Sequence, residues 1–409
     1  MKAMGAIPGG FEANDEGGLM IGGYDARWLV DKARGTPLFV YDNNLIGAKI
    51  ALFRAALPDG IGLHYAVKAN PYPPLLEWIC KFVDGFDIAS EGELAALESV
   101  GAAVIPLSFA GPGKTDRELE RAIRAGATIS IESEGEAARL LDIAGRLGTR
   151  PRVMVRVNPP FQLKGAGMKM GGAASPFGVD HDRAAELVRG LVEAGTDWRG
   201  LHIYPGSQCL DWAAIAEAQG ASVALAGRIA EDAGAEPPEV NLGGGFGIPY
   251  FAGEAPLDLY ALGQAMGEML AECPVSLGAS RFTLELGRWL VGEAGVYLAR
   301  VTDRKMSRGE TFLVTDGGLH HMLAASGNFG QLLRRNYPVA VATRFGATEV
   351  TATSVVGNLC TPLDIIADQV ELPAAEPGDL IAVFCAGAYG LSASPQAFLS
   401  QTRALEMMV

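Results

Sequence analysis

Lys68 stands in His64-Tyr65-Ala66-Val67-Lys68-Ala69-Asn70, where an apolar, strand-like run delivers an amine to its end rather than to a solvated face. Desolvation disfavours the ammonium form, and a free amine can attack a carbonyl or hold pyridoxal phosphate as a Schiff base. The competing expectation is a lysine that snorkels past the strand end into water. Asn241-Leu242-Gly243-Gly244-Gly245-Phe246-Gly247 sets three glycines in a row after another apolar run. Such a run is either a plain turn or a cradle whose backbone N–H groups close around a phosphate. Glu285-Leu286-Gly287-Arg288 places a carboxylate three residues before a guanidinium. A buried glutamate facing a pyridine nitrogen would keep that nitrogen protonated and the ring electron-accepting, and Arg288 offers a fork for phosphate or carboxylate. An ordinary ion pair is the alternative.

Weaker signals come from three further segments. His202-Ile203-Tyr204-Pro205-Gly206-Ser207 offers an imidazole able to stack on an aromatic cofactor and a hydroxyl for its phosphate, although a lone histidine is usually structural. The turns Gly357 to Asp364 and Ala386 to Gly390 carry the Cys360 thiol, the Asp364 carboxylate and the Tyr389 phenol. Ser108-Phe109-Ala110-Gly111-Pro112-Gly113-Lys114-Thr115 nearly reads as a P-loop, but Ser108 replaces the first glycine and Pro112 interrupts the amide cradle.

Strand signals fall at Leu63–Val67, Phe86–Ala89, Ile105–Ala110, Thr128–Ile131, Arg152–Val157, Gly200–Tyr204, Glu239–Leu242 and Arg281–Leu286. Helical patterns between them include Glu91–Val100, Asp116–Ala125, Glu134–Leu147, Asp182–Ala194, Trp212–Ala233 and Leu257–Ala271, several preceded by Ser, Asp or Thr as N-caps. Eight strand–helix units predict a (β/α)8 barrel, with a doubly wound sheet as the competing architecture. In such a barrel Lys68, His202, Gly243 and Glu285 all lie at the C-terminal ends of strands, where chemistry concentrates.

Beyond Gly287 the pattern turns to strands at Val296–Met306, Thr311–Thr315, Val339–Ala342, Glu349–Val356 and Leu380–Cys385, which predicts an all-β domain. The expected division is a barrel over residues 37–285 and a β-rich domain over 286–409, with residues 1–36 packing on the latter. Leu19–Ile21 and Pro37–Tyr41 read as further short strands, and the glycine-dense stretch Gly165 to Gly172 reads as a mobile loop over the barrel mouth.

The 409 residues are 49% hydrophobic and carry a formal charge of −14, which argues against a nucleic-acid surface. No apolar run is long enough to span a bilayer and the N-terminus lacks a signal peptide's apolar core, so a soluble, cytoplasmic protein is expected. Cys80, Cys209, Cys273, Cys360 and Cys385 are scattered and form no Cys-x-x-Cys pair, so neither a disulfide framework nor a metal site is expected.

In order, Tyr65-Ala66-Val67-Lys68-Ala69-Asn70, Phe86-Asp87-Ile88-Ala89-Ser90-Glu91-Gly92-Glu93-Leu94, Gly243 to Phe246, Glu285-Leu286-Gly287-Arg288 and Cys360 with Asp364 and Tyr389 resemble the motifs of the fold-type III pyridoxal-phosphate decarboxylases, whose barrel is alanine racemase-like. The family includes the diaminopimelate, ornithine and arginine decarboxylases. The resemblance implies pyridoxal 5'-phosphate on Lys68, a ring nitrogen facing Glu285, and His202 against the ring. It places the phosphate among Ser207, Gly243, Gly244, Gly245, Arg288 and Tyr389. It makes Cys360 a proton donor, with Cys360, Asp364 and Tyr389 meeting substrate across a head-to-tail homodimer with shared sites.

The departures bear on substrate. Leu286 replaces the proline of the Glu-Pro-Gly-Arg motif, and Thr361-Pro362 follows Cys360 where diaminopimelate enzymes continue Glu-Ser and ornithine enzymes have Asp. His320-His321-Met322-Leu323-Ala324-Ala325-Ser326 stands where diaminopimelate enzymes have Arg-Pro-x-Leu-Tyr, and His202 to Ser207 is two residues longer than the His-x-Gly-Ser of relatives. The segments Gly167 to Gly172 and Phe177 to Asp180 resemble an exosortase-associated subgroup linked to decarboxylation of aminoacyl groups on carrier proteins. The expected function is decarboxylation of an amino acid or a carrier-tethered aminoacyl group. The alternatives are a decarboxylase of free diaminopimelate, ornithine, lysine or arginine, a racemase, or a non-catalytic pyridoxal-phosphate-binding regulator.

Overall fold

The computed structural model describes residues 1–331 and 333–409. The chain divides into two compact units, one formed by residues 50–247 and 256–287, the other by residues 1–49, 248–255 and 288–409.

In the first unit, the strands Gly62–Ala66, Gly85–Ile88, Leu107–Phe109, Thr128–Ile131, Arg152–Asn158, Asp197–Ile203, Glu239–Asn241 and Arg281–Leu286 pair in parallel, each with the next in sequence. Arg281–Leu286 pairs back onto Gly62–Ala66, so the ring closes. This is the expected barrel, and the doubly wound alternative is excluded. The intervening helices begin where the sequence supplies caps. Ser90, Thr115 and Ser133 each accept the amide of the residue three positions on, and Thr115 with Glu118 completes a reciprocal capping box.

The register sets the chemistry. His202 lies beside Arg156 on one neighbouring strand and beside Asn241 on the other, while Glu285 lies beside His64. The barrel therefore carries a polar layer where an aliphatic one would ordinarily pack. All five of these residues are buried.

The near-P-loop is structural. Nζ of Lys114 donates to Gly111 O (2.7 Å) and Ser130 O (2.8 Å) and pairs with Glu136 Oε1 (2.6 Å), with the side chain 1% exposed. All three ammonium donors are spent inside the protein, so none is left for a nucleotide phosphate.

In the second unit, the 13-residue strand Gly295–Ser307 pairs along its first half with Leu38–Tyr41 and Leu380–Val383, and along its second half with Glu310–Thr315. Thr351–Val356 and Ile365–Leu372 extend the latter side, Val339–Val341 flanks Leu380–Val383, and Leu405–Met408 runs parallel to Leu38–Tyr41. One core joins Phe11, Leu19, Ile21 and Leu29 to Leu38, Val296, Leu298 and Phe384. The boundary expected at residue 37 therefore moves. Leu38–Tyr41 belongs to the β-rich unit because its ladder partners are there, and residues 248–255 join that unit from within the expected barrel span. Among the described residues, no helix is long and apolar enough to cross a membrane.

Lys114→Met should lower the unfolding free energy by about 3–5 kcal/mol in urea denaturation, because it leaves the Glu136 carboxylate buried without its cation. A variant as stable as the parent would show that the Glu136 charge is compensated elsewhere.

Candidate active site

Lys68 follows directly from the first barrel strand, in a 3-10 turn over Val67–Ala69. The turn is closed by Asn70 N donating to Val67 O (3.0 Å) and clamped by Tyr65 OH donating to Asn70 O (2.9 Å). Val67 and Ala69 are buried while Lys68 projects outward and is exposed, its Nζ 5.7 Å from the centre of the Tyr204 ring. Strand-end placement thus sets Lys68 on an exposed turn position with its amine near the Tyr204 ring. The turn throws the side chain clear of the apolar strand that precedes it.

Glu285 and His202 meet inside the barrel. Nε2 of His202 stands 3.4 Å from Oε2 of Glu285, close enough for charge pairing, but its angle leaves the nitrogen without a hydrogen bond. Nδ1 of the same ring lies 3.2 Å from Ser130 Oγ. Burial pushes the Glu285 carboxyl up, but His202, with Lys68 and Arg156 further off, outweighs burial and holds it well below the usual carboxylate range. Glu285 is therefore an anion at neutral pH. Asn241 ties this anion to the glycine run: its Nδ2 donates to Glu285 Oε2 (3.4 Å) and its Oδ1 accepts from Gly243 N (2.8 Å).

The run itself passes so close to the eighth strand that a Cβ on Gly244 would collide with the Glu285 carbonyl. Ser207 lies next to Gly206, whose carbonyl faces Gly245. Lys68, His202, Ser207, Gly243, Gly244, Gly245 and Glu285 thus all belong to the C-terminal rim of one barrel.

Sequence reasoning missed Arg156 and Ser130 and gave Asn241 no role. Arg156 pairs with Glu132 (2.9 Å), and Glu132 also accepts the amides of Gly111 and Gly178. The legible signal was a cation within the otherwise apolar run Val153-Met154-Val155-Arg156-Val157.

The remaining sequence candidates lie in the β-rich unit. Arg288 Nη1 donates to Tyr250 OH (2.8 Å), and its guanidinium lies 4.6 Å from the centre of the Tyr389 ring. Tyr389 is held at φ 55°, a conformation costly for a residue with a side chain. Cys360 is exposed. Asp364 is 3% exposed, and its two carboxylate oxygens accept Leu319 N (2.6 Å) and Leu359 N (2.9 Å). Asp364 is a staple for the turn that carries Cys360, because its charge is already committed to backbone amides.

The residues fit a phosphorylated pyridine. In the barrel, Nε2 of His202 is buried without a hydrogen-bond partner. Such an orphan costs about 1–3 kcal/mol unless something accepts from it. The Gly244 approach leaves no room for a side chain, and Glu285 is anionic where a protonated ring nitrogen would need it.

A closed parallel barrel with a lysine, an imidazole, an anionic carboxylate and a glycine run on its C-terminal rim defines a barrel-type pyridoxal-phosphate enzyme. Residues 43–292 match the pyridoxal-binding domain of the pyridoxal-dependent decarboxylases. The chain is 35% identical to the L-glutamyl-[BtrI acyl-carrier protein] decarboxylase of Niallia circulans, over 91% of this chain and 88% of that one. It is 32% identical to the diaminopimelate decarboxylase of Methanothermobacter thermautotrophicus, over 97% and 92%. The crystal structure of diaminopimelate decarboxylase from M. jannaschii with L-lysine superposes with a TM-score of 0.88 at 26% identity, covering 98% of this chain and 92% of that one. The chain belongs to the pyridoxal-dependent decarboxylase family: it is a carboxy-lyase whose cofactor is pyridoxal 5'-phosphate.

The segment from His320 to Ser326 turns inward. His320 and His321 are 0% and 1% exposed, and His321 spans Tyr297 OH (3.3 Å at Nδ1) and Thr402 O (2.8 Å at Nε2). Burial, then the adjacent His320, pushes His321 down to about 4 from its ordinary 6.5, against the weaker pull of Asp316 and Asp364. Between those values the unfolded chain binds a proton that the folded one refuses, so stability rises with pH across that window. Thermal midpoints should therefore fall as pH drops from about 7 toward 4.5. The fall should be shallower for His321→Gln than for the parent; parallel slopes would remove His321 as a cause.

Proposed function

We propose that this decarboxylase acts on an aminoacyl group tethered to a carrier protein, with the glutamyl group of the Niallia circulans relative as a precedent. The observation that carries this is the segment from His320 to Ser326. It offers no arginine, and burial disfavours the charged form of both its histidines. A free diamino diacid presents a distal carboxylate that needs a cation. An acyl group joined to a carrier through its distal carboxyl carries no charge there, and its free α-carboxylate remains the group to be lost.

Lys68 would hold the cofactor's carbonyl carbon through its amine, and that amine would be the group released when a substrate amine takes its place on the carbon. Bound pyridoxal phosphate supplies a ring that takes up the electron pair freed as CO2 leaves. Glu285, kept anionic by His202, holds the proton at the ring nitrogen, and Asn241 keeps the carboxylate in register with the glycine run. His202 would lie against the ring. Ser207, Gly243, Gly244 and Gly245 would hold the phosphate. Cys360, exposed on its stapled turn, donates the proton that completes the product, serving the partner subunit's barrel in a head-to-tail homodimer.

Release of CO2 should be at least about tenfold faster from side-chain-linked glutamyl carrier protein than from free diaminopimelate, ornithine, lysine or arginine, a preference of about 1.4 kcal/mol. Equal turnover of free diaminopimelate would overturn the tethered-substrate assignment. Glu285→Gln should retain pyridoxal phosphate and slow by roughly a hundredfold or more, the scale of one lost acid–base contribution. Lys68→Ala and Cys360→Ala should each be inactive, and mixing the two should restore turnover if sites are shared between subunits. Two inactive variants that stay inactive when mixed would place Cys360 outside a shared site.

A further inference from the structure

The glycine-dense stretch from Gly165 to Gly172 is tied down along its length. Met168–Lys169 forms an antiparallel ladder with Gly206–Ser207. On either side, Gly167 N donates to Gln208 O (3.2 Å) and Met170 N to Pro205 O (3.3 Å), and Gly172 N closes back on Pro159 O (2.8 Å). The 205–209 segment is bonded in turn to the glycine run, with Cys209 N donating to Gly245 O (2.9 Å) and Gly247 N to Cys209 O (2.8 Å). Three segments, following the fifth, sixth and seventh barrel strands, therefore lie side by side as a hydrogen-bonded collar on the rim.

Leu163 is the wedge inside that collar. It is 2% exposed and sits between two glycines. A Cβ on Gly206 would stand 2.9 Å from Leu163 Cβ, and one on Gly245 would stand 3.0 Å from Leu163 Cδ2. Gly206 immediately precedes Ser207, and Gly245 ends the triple-glycine run. The apolar side chain thus sets the spacing between the segment that carries Ser207 and the glycine run assigned to the phosphate.

We infer that Leu163 is a positioning residue for the cofactor phosphate, acting through Gly206 and Gly245, and that the Gly165 to Gly172 collar is a fixed wall of the site, not a lid. This rests on the assignment of Ser207 and Gly243 to Gly245 as phosphate holders. A merely structural leucine would affect every ligand of the barrel alike, whereas a phosphate-positioning one affects only ligands that carry a phosphate.

The test titrates the full-length apoprotein with pyridoxal phosphate and, separately, with pyridoxal, following the absorbance of the lysine-bound chromophore. Leu163→Ala should bind pyridoxal phosphate about tenfold more weakly, about 1.4 kcal/mol, while its affinity for pyridoxal stays that of the parent. Leu163→Met, which can refill the wedge, should recover most of the loss, and Leu163→Val supplies a milder change of the same sign should the alanine variant fail to fold. Unchanged affinity for pyridoxal phosphate, or equal weakening of both ligands, overturns the inference. A parent protein that binds both ligands equally overturns the phosphate assignment instead. Hydrogen exchange on the parent apoprotein provides an independent check: the Gly167 and Met170 amides should be protected, and exchange at the rate of a free loop would exclude a fixed wall.

Discussion

Parallel pairing of Arg281–Leu286 with Gly62–Ala66 closes the ring, and the rest of the site depends on that closure. An open sheet with the same strands would leave the first and last of them at opposite edges. Closure instead puts Lys68, from the first strand, and Glu285, from the eighth, on adjacent strands at one rim. Because all eight strands run the same way, His202 and Gly243 arrive at that rim too. The residues proposed to carry the chemistry are far apart in sequence and are gathered by backbone hydrogen bonds that none of their side chains makes.

The polar layer beneath the rim works against stability and is held in place by pairing. Glu285, His202, Arg156, Glu132, Lys114 and Glu136 are all buried, and each carboxylate faces a cation or an imidazole. Buried ion pairs of this kind roughly break even against apolar side chains of similar volume. Their concentration at the functional end of the barrel matches the general tendency for local rules to be broken where function is served. The β-rich unit repeats the theme at Asp364, whose buried charge is spent on two backbone amides and thereby shapes the turn that displays Cys360.

Much of the fold was legible in the sequence. All eight barrel strands and the six helices read between them lie within a few residues of where alternation and capping residues put them, because those patterns are set by neighbours along the chain; the helices Asn43–Ala56 and Pro73–Ile79 were not read. Ile365–Leu372 was missed because Asp368, Gln369 and Glu371 break its apolar run and Gln369 adopts a positive φ at a bulge. Leu405–Met408 was missed because a strand of four residues carries little pattern of its own and exists through its pairing with Leu38–Tyr41. The glycines of the Gly165 to Gly172 stretch suggested mobility, since a glycine that frees the backbone and one that lets another backbone come close look alike in sequence.

By itself the sequence determined the repeat of strand and helix, the order of the motifs and the absence of an arginine between His320 and Ser326. Tertiary structure alone decided which of those residues gather at the barrel rim and which are consumed internally. Lys114 and Asp364, each a functional candidate by type, are satisfied by groups brought to them by packing. Leu163, ordinary by type, gains a role because two distant glycines close on it. Periodicity is written between near neighbours, whereas the partners of a side chain are chosen by contacts across tens or hundreds of residues, and no local pattern records them.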